Sequence, residues 1–253
     1  MKTKIYIVTH KSFKEPKING YIPIQVGASG KEYLGYKVDC EGDNISSKNA
    51  NYCELTGVYW VWKNDDESDI VGIVHYRRYF VKRFRLNRPI DINEINKILE
   101  KYDIILPKKE IYAESAIEQY SIDSGFESDW DKIKEIIKED YSDYLETYEK
   151  IMNNNKMYQY NMMICRKEIF DEYCNWLFDI LFKLEKEIDL SQRNDYQKRI
   201  YGFLSERLLN VWMEKNKLKV KKLKVVNTEE NIIQKTRIKL RRIKNEMRFK
   251  FKC

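Results

Sequence analysis

Short, fully apolar runs alternate along the chain with stretches of helical period. Ile5 to Val8, Ile70 to Val74 and Ile104 to Leu106 are brief and rich in branched or aromatic residues, and Tyr158 to Cys165 reads as a further strand. Runs of this kind suit strands covered on both faces, as in a parallel sheet. A second extended piece is expected from Ile18 to Ala28, and a last one from Leu218 to Val226. Between them, Tyr52, Leu55, Tyr59 and Trp62 recur at i, i+3, i+7 and i+10. That spacing makes one apolar face of a helix opened by Ser46 or Ser47 and running to about Lys63. Asp91 opens a shorter helix to Lys101, and apolar stripes mark helices over 133–148, 169–184 and 202–212. Residues 30–47 and 112–129 carry no clear period and read as loops. Strands alternating with helices predict an α/β fold with a mostly parallel central sheet flanked by helices.

Open α/β sheets bind ligands beyond the carboxyl ends of their strands. The run from Ile70 ends in His75, Tyr76, Arg77 and Arg78, and the first run ends in Thr9 and His10. These are the chain's two histidines, and both are expected at one edge of the sheet. If the strand continues, His75 and Arg77 share one face while Tyr76 and Arg78 take the other. Two guanidinium forks beside an imidazole suit a diphosphate or a carboxylate; arginines paired with carboxylates at the core edge would explain the same residues structurally. Arg83, Arg85 and Arg88 continue the basic stretch, and Lys108 and Lys109 follow another strand. Asn49, Asn51 and Glu54 gather at the front of the helix that ends near Lys63.

Asp129-Trp-Asp131 has the Asp-x-Asp form that holds a divalent metal on the diphosphate in many sugar-nucleotide transferases. It precedes a helical stripe, so a helix N-cap favoured by the dipole is the competing reading. Glu206 and Arg207 lie side by side among apolar residues, either as an internal ion pair or as an acid/base pair.

At 253 residues, 43% hydrophobic and 13% aromatic, the chain can bury a large core and is not disordered by composition. The net charge of +7 is uneven: from Ile232 to Cys253 there are nine Lys/Arg and one Glu, a balance of +8, which leaves −1 for the rest. Residues 1–228 therefore read as a near-neutral α/β domain and 229–253 as a basic amphipathic tail, suited either to an anionic membrane surface or to a solvated basic end. A neutral body argues against nucleic acid as the partner. Five scattered cysteines with no CxxC pair argue for reduced thiols and against a zinc site. No signal peptide or membrane span is expected, and the location read from this is cytoplasmic, peripheral at the inner face of the membrane.

Several blocks together resemble a bacterial family. They are Tyr6-Ile-Val-Thr-His-Lys11, Asn51-Tyr-Cys-Glu-Leu-Thr56 with Trp60-Val-Trp62, and His75-Tyr-Arg-Arg-Tyr-Phe80. Asn161-Met-Met-Ile-Cys-Arg166, Asp171-Glu-Tyr-Cys-Asn-Trp-Leu-Phe178 and Gly202-Phe-Leu-Ser-Glu-Arg207 complete the set. The family is the capsular and exopolysaccharide glycosyltransferases long catalogued only as a domain of unknown function. The resemblance covers about residues 1–228 and implies a nucleotide-sugar-binding fold similar to the GT-A type. It also implies transfer of a hexose, with galactose in pyranose or furanose form a candidate, from a UDP-sugar to a lipid-linked glycan. On that reading Thr9, His10, Asn51, Glu54, His75, Tyr76, Arg77 and Arg78 bind the donor, with Mg or Mn an open question. The proton-accepting carboxylate is Glu206, Asp123 or Asp129, and His75 contacts a phosphate oxygen or a sugar hydroxyl. The alternative class is a non-catalytic binding protein, of nucleic acid or of a polysaccharide-assembly partner, acting through the basic tail.

Overall fold

The structure, a computed structural model, describes residues 1–82, 85–123 and 125–252; Arg83 lies outside them. The chain opens with β1 (Thr3–Thr9) and β2 (Tyr21–Gln25). A two-residue strand, β3 (Lys37–Val38), lies in the segment expected to be loop. The helix expected over 46–63 is three pieces: a 3-10 turn (Ser46–Lys48), α1 (Asn49–Tyr52) and α2 (Leu55–Asn64). Neither serine caps it through its side chain; Ile45 precedes the first turn. The break falls at Cys53, whose φ of 54° and ψ of −130° are outside any helix. Asn49 holds the break, since its amide nitrogen donates to the Cys53 carbonyl at 2.7 Å.

The central strand ends sooner than its composition suggests. β4 (Ile70–His75) stops at the imidazole, Tyr76 and Arg77 form a two-residue turn, and β5 (Arg78–Lys82) returns antiparallel with His75 opposite Arg78. The expected alternation of Tyr76 and Arg77 on opposite faces of a continuing strand is therefore replaced by a hairpin tip. Neither turn residue takes a positive φ, so the turn is not of the primed types that keep hairpin strands together. The strands splay, and β5 pairs instead with the far side of the sheet.

β6 (Arg85–Pro89) leads to α3 (Ile92–Leu99), which opens on a capping box between Asp91 and Glu94, as the Asp91 signal predicts. β7 (Ile104–Pro107), β8 (Glu110–Ile111), α4 (Ala116–Asp123) and α5 (Ser128–Asp140) follow. The helical run expected to 148 breaks at Tyr141, and α6 (Leu145–Met152) completes it. β9 (Lys156–Met157), β10 (Met163–Arg166), α7 (Lys167–Glu185), α8 (Ile200–Lys215), β11 (Val220–Asn227) and α9 (Ile232–Lys252) close the chain.

The nine-stranded sheet has the order β3-β2-β1-β4-β10-β7-β11-β5-β6, and β8 and β9 form a separate pair. Strands β3, β2, β1 and β4 run parallel, as do β7 and β11; β10 runs antiparallel between β4 and β7, and β5 and β6 are antiparallel. The sheet is mixed, which corrects the mostly parallel expectation. A run buried on both faces lacks the alternation that separates one-sided strands, so its composition does not reveal direction. Direction follows from the connections, and a two-residue turn permits only an antiparallel return.

Two cores clasp the sheet. One face packs on α2, α5, α6, α7 and α8 around Tyr52, Trp60, Phe178 and Leu208. The other packs on α3 around Ile7, Val74, Phe80 and Ile95. The parallel pair β1 and β4 lies between them, with Val8 opposite His75. Burial on both sides fixes the positions from which Thr9 and His75 leave the sheet.

Candidate functional site

Beyond the carboxyl ends of β1 and β4 the structure opens into a cavity of about 650 Å³. Thr9, His10, Glu54, His75, Tyr76, Arg77, Arg78 and Glu206 line it, together with Asn49, Cys53, Tyr160, Asp195, Arg199 and Phe203. A volume of this order suits a ligand of drug or nucleotide size.

Its floor is assembled by close approaches. The loop after β2 is tied down by the buried Asp39 carboxylate, which accepts from the Gly27 and Ala28 amides at 2.7 and 3.0 Å. Gly27 has φ +61°, and a Cβ there would sit 2.3 Å from the Asn49 side chain, so glycine is required. At the other wall, a Cβ on Gly202 would come within 3.2 Å of Cys53. That glycine lets α8 approach the α1–α2 break and brings Glu206 into the same space.

The basic groups occupy one side. Arg77, at the hairpin tip, reaches Glu229 at 3.2 Å, while its buried Nε has no hydrogen-bond partner among the described residues. Among the described residues Arg78 forms no ion pair; its guanidinium lies over the Tyr160 ring at 4.6 Å. Arg199 donates to the Cys53 sulfur at 3.2 Å and lies against Phe203. Burial pushes the Cys53 thiol up to about 11 despite that cation, so it stays protonated at neutral pH and is a packing group rather than a nucleophile.

His75 donates from Nε2 to the Tyr160 carbonyl at 2.7 Å, a tautomer assigned from that bond because a carbonyl only accepts. Burial lowers its pKa, with the Arg78 and Arg77 charges acting in the same direction against Glu54. The ring is therefore neutral at pH 7 and presents Nδ1 as an acceptor. Tyr160 and Asn161 have φ of 78° and 49°, strained for side-chain-bearing residues. Several bonds hold them there: Glu206 accepts from the Tyr160 amide at 2.9 Å, and the Asn161 side chain donates to Glu54 at 2.8 Å and to the Gly202 carbonyl at 3.2 Å. Backbone strain held by the Glu54 and Glu206 carboxylates is typical of functional sites.

Glu206 faces this constellation. Burial raises its pKa to about 7, with Glu54 adding to the rise and Arg207, the Tyr160 amide and Arg78 opposing it. Arg207 lies 3.8 Å away and bonds mainly to the Phe203 carbonyl and to Gln119, so the adjacent pair is not a closed ion pair. A carboxyl poised near neutrality beside guanidinium groups can accept a proton while anionic charge is stabilised next to it.

Other candidates lie elsewhere. Asn51 donates to the Lys198 carbonyl at 2.9 Å and does not line the cavity. Thr9 lines it, but its hydroxyl donates to the Lys11 carbonyl at 2.6 Å and shapes the exit loop. Asp123 ends α4, and its side chain lies outside the described ones. Asp129 and Asp131 lie in the first turn of α5, whose N-cap is Glu127, so neither is the N-cap. Both Asp129 oxygens bond to Arg193, at 2.5 and 2.9 Å, and Tyr120 donates to one at 2.5 Å. A carboxylate so engaged, with Asp131 exposed beside it, does not fit a divalent ion. Among the described residues no group of three or more His, Cys, Asp or Glu is arranged to hold one. The Asp129–Arg193 pair is buried and structural, and Arg193→Leu is expected to lower stability by about 3–5 kcal/mol, read as a fall in the urea midpoint.

Sequence reasoning missed Tyr160, Asp195, Arg199 and Phe203 because they fall in an expected strand, a polar link and a core helix. The signal nearest to them was Gly202, whose missing side chain marks where α8 and α1 meet.

A mixed α/β sheet with a basic, carboxylate-containing cavity at the ends of its first parallel strands defines the class. The chain belongs to the family described as Domain of unknown function (DUF4422), which matches residues 4–217. It is similar to a solved structure described as WbbM bifunctional glycosyltransferase in its apo form, with 30% identity and a TM-score of 0.83. That likeness covers 91% of this chain and 46% of the other, so this chain spans about half of that protein's length. No curated protein matches it.

Proposed function

We propose that the protein is a glycosyltransferase that moves a hexose from a UDP-sugar to a hydroxyl of a growing, lipid-linked capsular or exopolysaccharide unit. The observation carrying this reading is the meeting, at the ends of β1 and β4, of the Arg77 and Arg78 guanidinium groups with the Glu206 carboxyl. The likeness to a glycosyltransferase over nine-tenths of the chain supports it.

Transfer breaks the bond between the anomeric carbon and the donor phosphate and forms one to the acceptor oxygen. Negative charge develops on the departing diphosphate. Arg77, whose Nε has no partner among the described residues, and Arg78, without a carboxylate partner among them, receive it, and Arg199 adds a third cation. The acceptor hydroxyl must lose its proton, and Glu206 takes it. His75, neutral and accepting through Nδ1, contacts a sugar hydroxyl of the donor or acceptor.

A panel of nucleotide sugars tests this through thermal stability. A ligand at about 100 times its dissociation constant stabilises a fold by about 2.7 kcal/mol. A rise in melting temperature with UDP-sugars and with UDP is expected. A rise only with oligonucleotides would point to a nucleic-acid-binding protein instead.

A further inference from the structure

The last helix, α9, is held to the body along one side. Arg242 pairs with Glu110 of β8, and the Asn245 side chain donates to the Ile111 carbonyl at 3.0 Å. At 100° per residue, Ile233, Leu240, Ile243 and Met247 fall within one quadrant on the opposite side of the helix. They are 64%, 60%, 44% and 51% exposed. Arg237, Lys244 and Arg248 border that stripe, and the segment from Ile232 carries a net charge of +8 on a body of −1. Large apolar side chains at helical spacing facing solvent lose free energy unless something covers them.

We propose that this face of α9 docks on the surface of an anionic lipid bilayer. The apolar stripe enters the boundary between headgroups and acyl chains while the flanking cations meet lipid phosphates. Charge complementarity singles out this occupant: a protein groove would bury the stripe but leave the bordering cations without acidic partners. Nucleic acid would satisfy the cations but leave the apolar row in water. Among the described residues no helix is long and apolar enough to cross a membrane, so α9 lies on the surface rather than spanning it.

The placement also matters to the cavity. Glu229, three residues before α9, pairs with Arg77 at 3.2 Å and with Lys11 at 3.0 Å, and the Thr228 amide donates to the Arg77 carbonyl at 2.8 Å. The helix therefore leaves the body beside the cavity, so docking brings the cavity to the bilayer surface, where a lipid-linked acceptor lies. This last step rests on the proposed transfer reaction; the docking itself does not.

Cosedimentation of the full chain with vesicles tests the docking. Vesicles containing roughly equal phosphatidylglycerol and phosphatidylcholine are expected to bind it, and vesicles of phosphatidylcholine alone to bind it about tenfold more weakly. Leu240→Asp, Ile243→Asp and Met247→Asp together are expected to weaken binding about tenfold or more, as is salt of about 1 M, where the Debye length is about 3 Å. A chain ending at Asn231 serves as a second variant and is expected to lose binding. Failure to bind anionic vesicles, equal binding to neutral ones, binding undiminished in both variants, or preference for single-stranded DNA over the vesicles would each overturn the proposal. UDP-sugar stabilisation of the same samples reports on the transfer reading separately, so the two stand or fall independently.

Discussion

Replacing Arg77 and Arg78 together with alanine is expected to weaken UDP-sugar binding by about 100-fold to 10,000-fold. Each charge-assisted hydrogen bond to a diphosphate contributes roughly 1.5–3 kcal/mol, and each 1.4 kcal/mol is about tenfold in affinity. The fold should survive. Within the body Arg77 makes a half-exposed ion pair with Glu229, of a kind that contributes about 0–1 kcal/mol. Arg78 makes a cation–π interaction with Tyr160, in the range of about 0.5–1 kcal/mol at an accessible site. Titration calorimetry with UDP-sugar, beside thermal unfolding of the free variant, separates the two effects. Near-normal affinity would refute the diphosphate assignment whatever the stability. Arg77→Ala alone should show the smaller loss if Glu229 normally competes with the donor for that guanidinium.

Glu206→Gln is expected to lower kcat by about 100-fold to 10,000-fold, the usual contribution of a positioned proton acceptor. The amide keeps a carbonyl oxygen for the Tyr160 N–H, so the strained turn at Tyr160 and Asn161 should hold and donor binding should change little. The pH profile makes the test specific. With the carboxyl pushed up to about 7, the ionised base is the minor form at pH 6, so kcat/KM should fall about tenfold per pH unit below 7 and level off above it. The glutamine variant should lack that limb. Stability carries the opposite sign. A carboxyl whose pKa is raised on folding binds its proton more tightly in the native state, so its contribution is complete below the ordinary carboxylate range and is lost as pH rises through 7. The wild type should therefore lose stability between about pH 4.5 and 7 relative to Glu206→Gln. An unchanged acidic limb in the variant would move the proton acceptor to another residue.

Much of the fold was readable because burial on both faces leaves a compositional trace. Ile5 to Val8 and Ile70 to Val74 read as core strands and are strands, and Asp91 announced a helix start that the structure makes through a capping box with Glu94. Histidine at the end of each of two neighbouring parallel strands pointed to the edge where the cavity opens. What escaped were features decided by distant partners. The Tyr76–Arg77 reversal has no glycine, asparagine or proline to signal it. β5 goes there because β11, some 150 residues later, supplies its hydrogen bonds. The helix around Asn49 reads as continuous because every residue in it tolerates helix, yet it breaks at Cys53 where α8 presses against it through Gly202.

The chain's own chemistry thus determined which residues are apolar enough to be strands, where the cations concentrate, and that the last twenty-odd residues are basic and amphipathic. Tertiary structure alone decided strand direction, the burial that brings Glu206 close to neutrality, and the union of Arg199 and Tyr160 with the histidine-tipped strands. The division has one cause. Local pattern encodes what a residue does with its neighbours in sequence, whereas pKa, strand pairing and cavity walls depend on groups that only packing brings within a few ångströms.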